Sequence, residues 1–195
     1  GIHTFHVGKR SKVRYVERHY GEGDGRGENI MNPTTVVEMD EDSYMEMETT
    51  QIKGVDSTVR TTNAKLGPRA TLIIREKVMT HGRQLAKSDF TVDLDGEDCH
   101  TNVISRSVAK DQSRQVFLAR INGNARCYGH SECDAIIMDQ GVVAAIPEVT
   151  ANCVDASLVH EAAIGKIAGE QLIKLMTLGL TEKEAEEHIV NGFLK

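Results

Sequence analysis

The chain has 195 residues and a mass of 21.5 kDa, with 39% hydrophobic side chains, enough to bury the core of one domain of ordinary size. A formal charge of -6 and a pI near 5.8 exclude a general binder of duplex nucleic acid, which needs clustered Lys and Arg to displace counterions from phosphates. Four cysteines are too few for a disulfide scaffold and favour metal or sulfur chemistry, and no apolar run approaches the ~20 residues of a membrane helix.

Residues 1–16 read as short strands, in which Ile2, Phe5, Val7, Val13 and Tyr15 alternate with polar residues. Lys9, Arg10, Lys12, Arg14 and Arg18 crowd together there and read as a solvated strand face. Gly21, Gly23, Gly25 and Gly27 make the next stretch a flexible loop. Its sequence, GEGDGRGE, lacks the lysine and Ser/Thr of a phosphate-binding P-loop, and no helical pattern follows it. The acidic run that includes Glu38, Glu46 and Glu48 carries Tyr44, Met45 and Met47 at strand-like positions, as a solvated sheet face would. Clearer strands are expected at residues 70–74, 90–94, 116–121, 135–138 and 142–146, with no helix between residues 36 and 151.

Gly54, Gly67, Gly82 and Gly96 recur about every 14 residues, as turns do between regularly spaced strands. A sandwich, a barrel and a β-helix all fit that spacing, although 4% aromatics and no Trp argue against an immunoglobulin-type core.

The segment most crowded with potential ligands is Cys127-Tyr128-Gly129-His130-Ser131-Glu132-Cys133. Three of its donors would suit zinc or iron. Residues three apart on a strand point to opposite faces, so all three converge only if a turn intervenes, and Gly129 is the residue that could make one. Cys127 serves equally well as a buried β-interior residue. Cys99-His100 and Cys153 read as packing. His160-Glu161 places two adjacent donors at an expected β-to-helix junction, where they could ligate iron or set the charge of a thiolate. A capping carboxylate beside a hydrogen-bonded histidine is the plainer alternative.

Beyond that point the period becomes helical. Leu172, Leu175 and Met176 share a face with Ile173 alongside, and Gly179 supplies the left-handed residue that ends a helix at about Leu178. Thr181-Glu182-Lys183-Glu184 is a capping box that opens a second helix. In it Ala185, Ile189 and Phe193 form the packing stripe, and Glu182, Lys183, Glu186 and Glu187 the wet face.

The C-terminal stretch with HEAAIGKIAGEQL, LGLTEKEA and IVNGFL resembles the end of the SufB/SufD iron-sulfur cluster assembly proteins of the SUF system. The likeness continues through Cys99-His100-Thr101, Gln112-Ser113-Arg114, Asn124-Ala125-Arg126 and Cys133-Asp134-Ala135-Ile136-Ile137, and is firm from about Thr80. It implies a mainly β fold, a right-handed parallel β-helix (β-solenoid) over residues 1–158, followed by a short C-terminal helical hairpin in residues 159–195. It further implies a cytoplasmic scaffold rather than an enzyme, holding a transient iron-sulfur cluster at a subunit interface. Cys133 would be the principal thiolate ligand, with Glu161 and His160 as ligands or pKa tuners and Cys127 and His130 as weaker candidates. The implied partners are a SufC-like ABC ATPase on the helices, a second copy or a SufB/SufD paralogue joined near Cys133 and residues 142–148, and a sulfur donor protein. The family usually carries more sequence before this core, so the chain is expected to be part of a longer protein.

One departure bears on sulfur entry. SufB proteins carry a cysteine several rungs upstream, but the corresponding segment here, Gly67-Pro68-Arg69-Ala70-Thr71-Leu72, has none. Cys133 and Glu161 are SufB-like, so a SufB-like or ancestral type is expected. Two rival readings remain on the residues alone. One is a metal-dependent enzyme on a β-solenoid using His130 or His160 with Glu161, although no H-E-x-x-H pattern occurs. The other is a β-solenoid binding module whose cysteines only pack.

Overall fold

Most strands of this protein bury alternate side chains, and apart from one short extra strand near the start successive strands lie on alternate sheets, so two sheets enclose one interior. The computed structural model describes residues 1–20 and 29–195. The glycine-rich loop of residues 21–28 lies outside the described residues. The first sheet is formed by β1 (Ile2–Val7), β4 (Thr34–Met39), β6 (Ser57–Leu66), β8 (Leu85–Leu94), β10 (Arg114–Gly123) and β12 (Val142–Ala151), with the short β3 (Ile30–Met31) also beside β6. The second is formed by β2 (Lys12–Tyr20), β5 (Tyr44–Lys53), β7 (Thr71–Thr80), β9 (Cys99–Ala109), β11 (Cys127–Ile137) and β13 (Ala156–Gly165). All pairings among the described residues are parallel, for example β8 with β10 and β9 with β11. The result is a β-solenoid of about six turns followed by two helices, α1 (Gly169–Thr177) and α2 (Glu182–Phe193).

From β6 onward equivalent positions on neighbouring turns are 28 or 29 residues apart, as between Asp98 and Arg126 or between Asp95 and Asn124. The glycine interval in the sequence is therefore half a turn of the solenoid, one strand and its corner. Gly67 and Gly96 stack at the same corner, where a Cβ on Gly96 would lie 2.1 Å from the Gly67 carbonyl carbon. No side chain fits there. That corner also carries alternating charge from turn to turn: Lys9 pairs with Glu41, Arg69 with Glu41 and Asp42, and Arg126 with Glu97 and Asp98. Exposed pairs of this kind each add little stability, but in sequence they oppose a slipped register by placing like charges together.

The interior is apolar at one side, where Met45, Met47, Leu72, Ile74, Phe90, Val92 and Val103 are buried. The acidic face expected around residues 38–48 is present: Arg14 donates to Glu48 at 2.9 Å while Met45 and Met47 point inward. β6 and β9 escape a hydrophobic reading because their inward residues include Thr58, Arg60, Thr62, Thr101, Ser105 and Ser107.

The chain remains extended through Gly165, and α1 starts only at Gly169. His160 and Glu161 therefore lie inside β13 and not at a β-to-helix junction. The apolar residues of that segment continue the solenoid wall, which needs an even period rather than a helical one. The capping box of α2 is formed, with Glu184 N–H donating to Thr181 Oγ1 at 3.3 Å and Thr181 N–H to Glu184 Oε2 at 2.8 Å. Gly179 adopts the expected left-handed conformation, φ 96°. α2 packs Val190 and Leu194 against Val108 and Met138, with Ile167 and Phe193 at the margin. α1 buries no residue, and Ile173 and Leu178 are 62% and 76% exposed.

Candidate functional site

Register turns inward-facing residues of the second sheet into files that run along the solenoid. One file is Glu17, Thr49, Glu76, Ser105, Cys133 and Ala162, each paired with the next. Cys133 has no exposed surface, and only the edge strand β13 lies beyond it. Burial pushes its thiol up to about 12, with further contributions from the charges of Glu76 and Asp134. At neutral pH the enclosed group is the thiol, and it becomes a nucleophile or ligand only by losing its proton.

Below Cys133 the file is polar. Glu76 is buried and accepts from Ser88 Oγ at 2.5 Å and from Ser105 Oγ at 3.0 Å. Burial raises its carboxyl, against the Arg60 charge and these two hydrogen bonds. Arg60 lies 3.8 Å from Glu76, donates to Glu17 at 2.8 Å, and donates to His19 Nδ1 at 3.0 Å. His19 in turn donates from Nε2 to Glu17 at 2.5 Å. Burial alone would raise the Glu17 carboxyl, but the His19 and Arg60 interactions overcome it and hold the group at about 2. Sequence inspection missed this network. Glu17, Arg60 and Glu76 look like ordinary charges in polar strands, and only the pairing of distant strands joins them.

The adjacent file ends in Val103, Ser131 and His160. His160 Nδ1 is hydrogen-bonded to Ser131 Oγ at 2.6 Å, so the imidazole shares the inner face with Cys133, one inward position away on the neighbouring strand. Such diagonal neighbours have Cα atoms about 7–8 Å apart. Burial and the nearby His130 lower the His160 pKa, against the Glu161 charge and a hydrogen bond to the Ser131 backbone, and so favour the neutral ring. Glu161 is next in the strand and belongs to the opposite face, in register with Glu132. There its carboxylate lies 3.8 Å from His130 Nε2. Burial and the adjacent Asp134 raise the Glu132 carboxyl.

The turn expected at Gly129 is absent, because β11 runs unbroken from Cys127 to Ile137. Gly129 faces inward instead, and a Cβ there would meet Ile121 Cγ2 at 2.7 Å and Leu158 Cδ2 at 2.8 Å. Cys127 and Cys133 both face inward but are separated by six residues of extended chain, roughly 20 Å, while His130 faces outward. The three do not converge. Cys127 is in register with Cys99, and burial raises both thiols, that of Cys99 to about 11. Cys153 is half-buried at the last corner. Among the described residues no three His, Cys, Asp or Glu side chains gather round one point, so within a single chain Cys133, His160 and Glu161 are a split set.

The family model described as "SUF system FeS cluster assembly, SufBD core domain" matches residues 1–193. A protein of Methanocaldococcus jannaschii named as an iron-sulfur cluster assembly SufBD family protein is 33% identical over 190 residues, covering 96% of this chain and 60% of its own length. A protein of the same name from Archaeoglobus fulgidus is 30% identical over 197 residues, covering 100% of this chain and 52% of that protein. One from Methanothermobacter thermautotrophicus is 37% identical over 103 residues, 52% of this chain and 25% of that protein. Where nearly the whole chain is matched, it spans 52% to 60% of the length of the curated relative.

Proposed function

Because the chain belongs to the SufBD family of iron-sulfur cluster assembly proteins, we propose that it is a scaffold on which iron and sulfide, its substrates, are joined into a cluster and passed on. The observation that carries this reading is the place of Cys133, a soft ligand at the end of a polar interior file with a single edge strand beyond it. A cluster that must leave again is suited by few, mixed and exchangeable ligands rather than four fixed thiolates. Cys133 supplies sulfur and His160 supplies nitrogen from the inner face, and displacement of β13, which carries His160, exposes Cys133. Glu161 joins them only through a second chain or a rotated edge, because it starts on the other face.

The same edge supports a two-chain assembly. β12 and β13 each have one unpaired side, and Val142 and Ile146 of β12 are both 45% exposed. A second copy or a paralogous solenoid pairing there would bring two sets of donors together. Anaerobic reconstitution with iron and sulfide tests the reading: a visible-region chromophore on a species sedimenting as a dimer is expected. A colourless monomer after reconstitution would remove both the cluster and the interface.

The exposed apolar residues of α1 support docking of an ABC-type ATPase, whose movement would open the edge. Ile173, Met176 and Leu178 are the contacts to replace, since none contributes to the buried core. Ile173→Asp combined with Leu178→Asp should abolish co-purification with the ATPase while leaving the thermal midpoint unchanged. Undiminished pull-down by that double variant rejects α1 as the docking element.

A further inference from the structure

One end of the second sheet holds thiols that the cluster reading leaves unused. Cys99 of β9 and Cys127 of β11 are in register, both face inward, and both are buried with free thiols. Neighbouring strands lie about 4.7–4.9 Å apart, so in-register side chains on one face stack at that interval. A disulfide needs Cβ atoms about 3.5–4.5 Å apart, closer than such a stack brings them. A metal–thiolate bond is about 2.3 Å, so two sulfurs on opposite sides of one ion lie about 4.6 Å apart. The stack therefore has the span of a linear sulfur–metal–sulfur unit.

Small residues surround the pair. Ala156 is in register above Cys127, and Ala70 lies below Cys99, because the next residue, Thr71, pairs with His100. Across the interior stands Gly123, where a Cβ would come within 3.2 Å of Cys127 Sγ, so the glycine leaves space beside the sulfur. Cys153, half-buried at the last corner, acts on the charge of Cys127, and Cys127 on that of Cys99, so the thiols follow one another from the surface inward. Among the described residues no three donors gather round one point, and Cys153 is thus a stop on the way in rather than a third ligand.

We propose that Cys99 and Cys127 bind one soft monovalent cation, of the class of Cu(I), in two-coordinate form, with Cys153 as its point of entry. Thiolates select Cu(I), and a filled-shell monovalent ion is satisfied by two of them in line, whereas structural zinc takes four ligands. Each thiol releases its proton to water as its sulfur binds, and no electron moves. The site is independent of the cluster reading, because Cys133 lies roughly 20 Å from Cys127 along β11.

A titration of the Cys133→Ser chain, reduced and kept anaerobic, with Cu(I) supplied as its coloured bathocuproine disulfonate complex tests the assignment apart from the cluster site. The chain should withdraw one equivalent of the ion. Cys99→Ala and Cys127→Ala, each added to that chain, should abolish the withdrawal with the far-ultraviolet circular dichroism unchanged. Cys153→Ser should keep the equivalent and slow its uptake. X-ray absorption at the copper edge of the loaded chain should show two sulfur neighbours and no nitrogen, a readout that needs no further variant and so stands should loss of a buried thiol disturb the sheet. An equivalent retained in both Cys99→Ala and Cys127→Ala, a spectrum with three sulfurs or with nitrogen, or no withdrawal at all overturns the site. Unslowed uptake in Cys153→Ser overturns the entry role.

Discussion

Cys133→Ser will yield a folded chain that retains no iron-sulfur chromophore after anaerobic reconstitution. Serine keeps the shape of the side chain and takes away the soft ligand, and an alkoxide is a far poorer partner for iron at neutral pH than a thiolate. The fold should survive because the position lies beside Ser105 in the same polar file, where a hydroxyl finds company rather than a wholly apolar wall. Far-ultraviolet circular dichroism should be unchanged. Cys153→Ser, at the half-buried last corner, should keep most of the chromophore. Burial holds the Cys133 thiol at about 12, so cluster formation should also require the edge of the solenoid to open before the proton leaves. Chromophore yield from Cys133→Ser equal to that of the wild type would take this residue out of the site.

Arg60→Leu will destabilise the protein by about 3–5 kcal/mol, because it leaves buried carboxylates without their cation. Arg60 is buried between Glu17 and Glu76, and donates to Glu17 and His19. The accompanying pH dependence has two arms of opposite sign. Glu17 is depressed from 4.5 to about 2 on folding, so its contribution is present above 4.5 and lost as pH falls toward 2. Glu76 is raised by burial, so its contribution is present below 4.5 and lost as pH rises through its folded value. Urea denaturation should therefore show that Arg60→Leu loses part of the acid-side decline due to Glu17, the His19 hydrogen bond keeping the rest. Glu76→Gln should flatten the dependence above 4.5. A loss below about 1 kcal/mol at neutral pH in Arg60→Leu would show the network to be a set of independent surface-like pairs.

Much of the wall was legible because a strand's period is local. Met45 and Met47, or Phe90, Val92 and Leu94, alternate with polar neighbours, and the structure buries them. The capping box at Thr181 and the helix end at Gly179 were equally plain, since each depends on a few adjacent residues. β6 and β9 were not, because their inward positions carry Thr, Arg and Ser.

The sequence by itself determined the family, the dominance of β structure, the regular glycine interval and which Cys, His and Glu residues are the candidate ligands. Only the tertiary structure decided which of those residues share a face. Alternation places Cys127 and Cys133 on one side of β11 and His130 on the other once the strand is unbroken, and packing against Ile121 and Leu158 makes Gly129 a core residue instead of a turn. It likewise parts His160 from Glu161, which a junction would have let converge. The polar file from Glu17 to Cys133 joins strands whose paired residues lie 27 to 32 positions apart in the chain, and no local pattern encodes that register. It is fixed by the stacking of successive turns, where corner glycines, alternating charges and inward volumes must all agree at once.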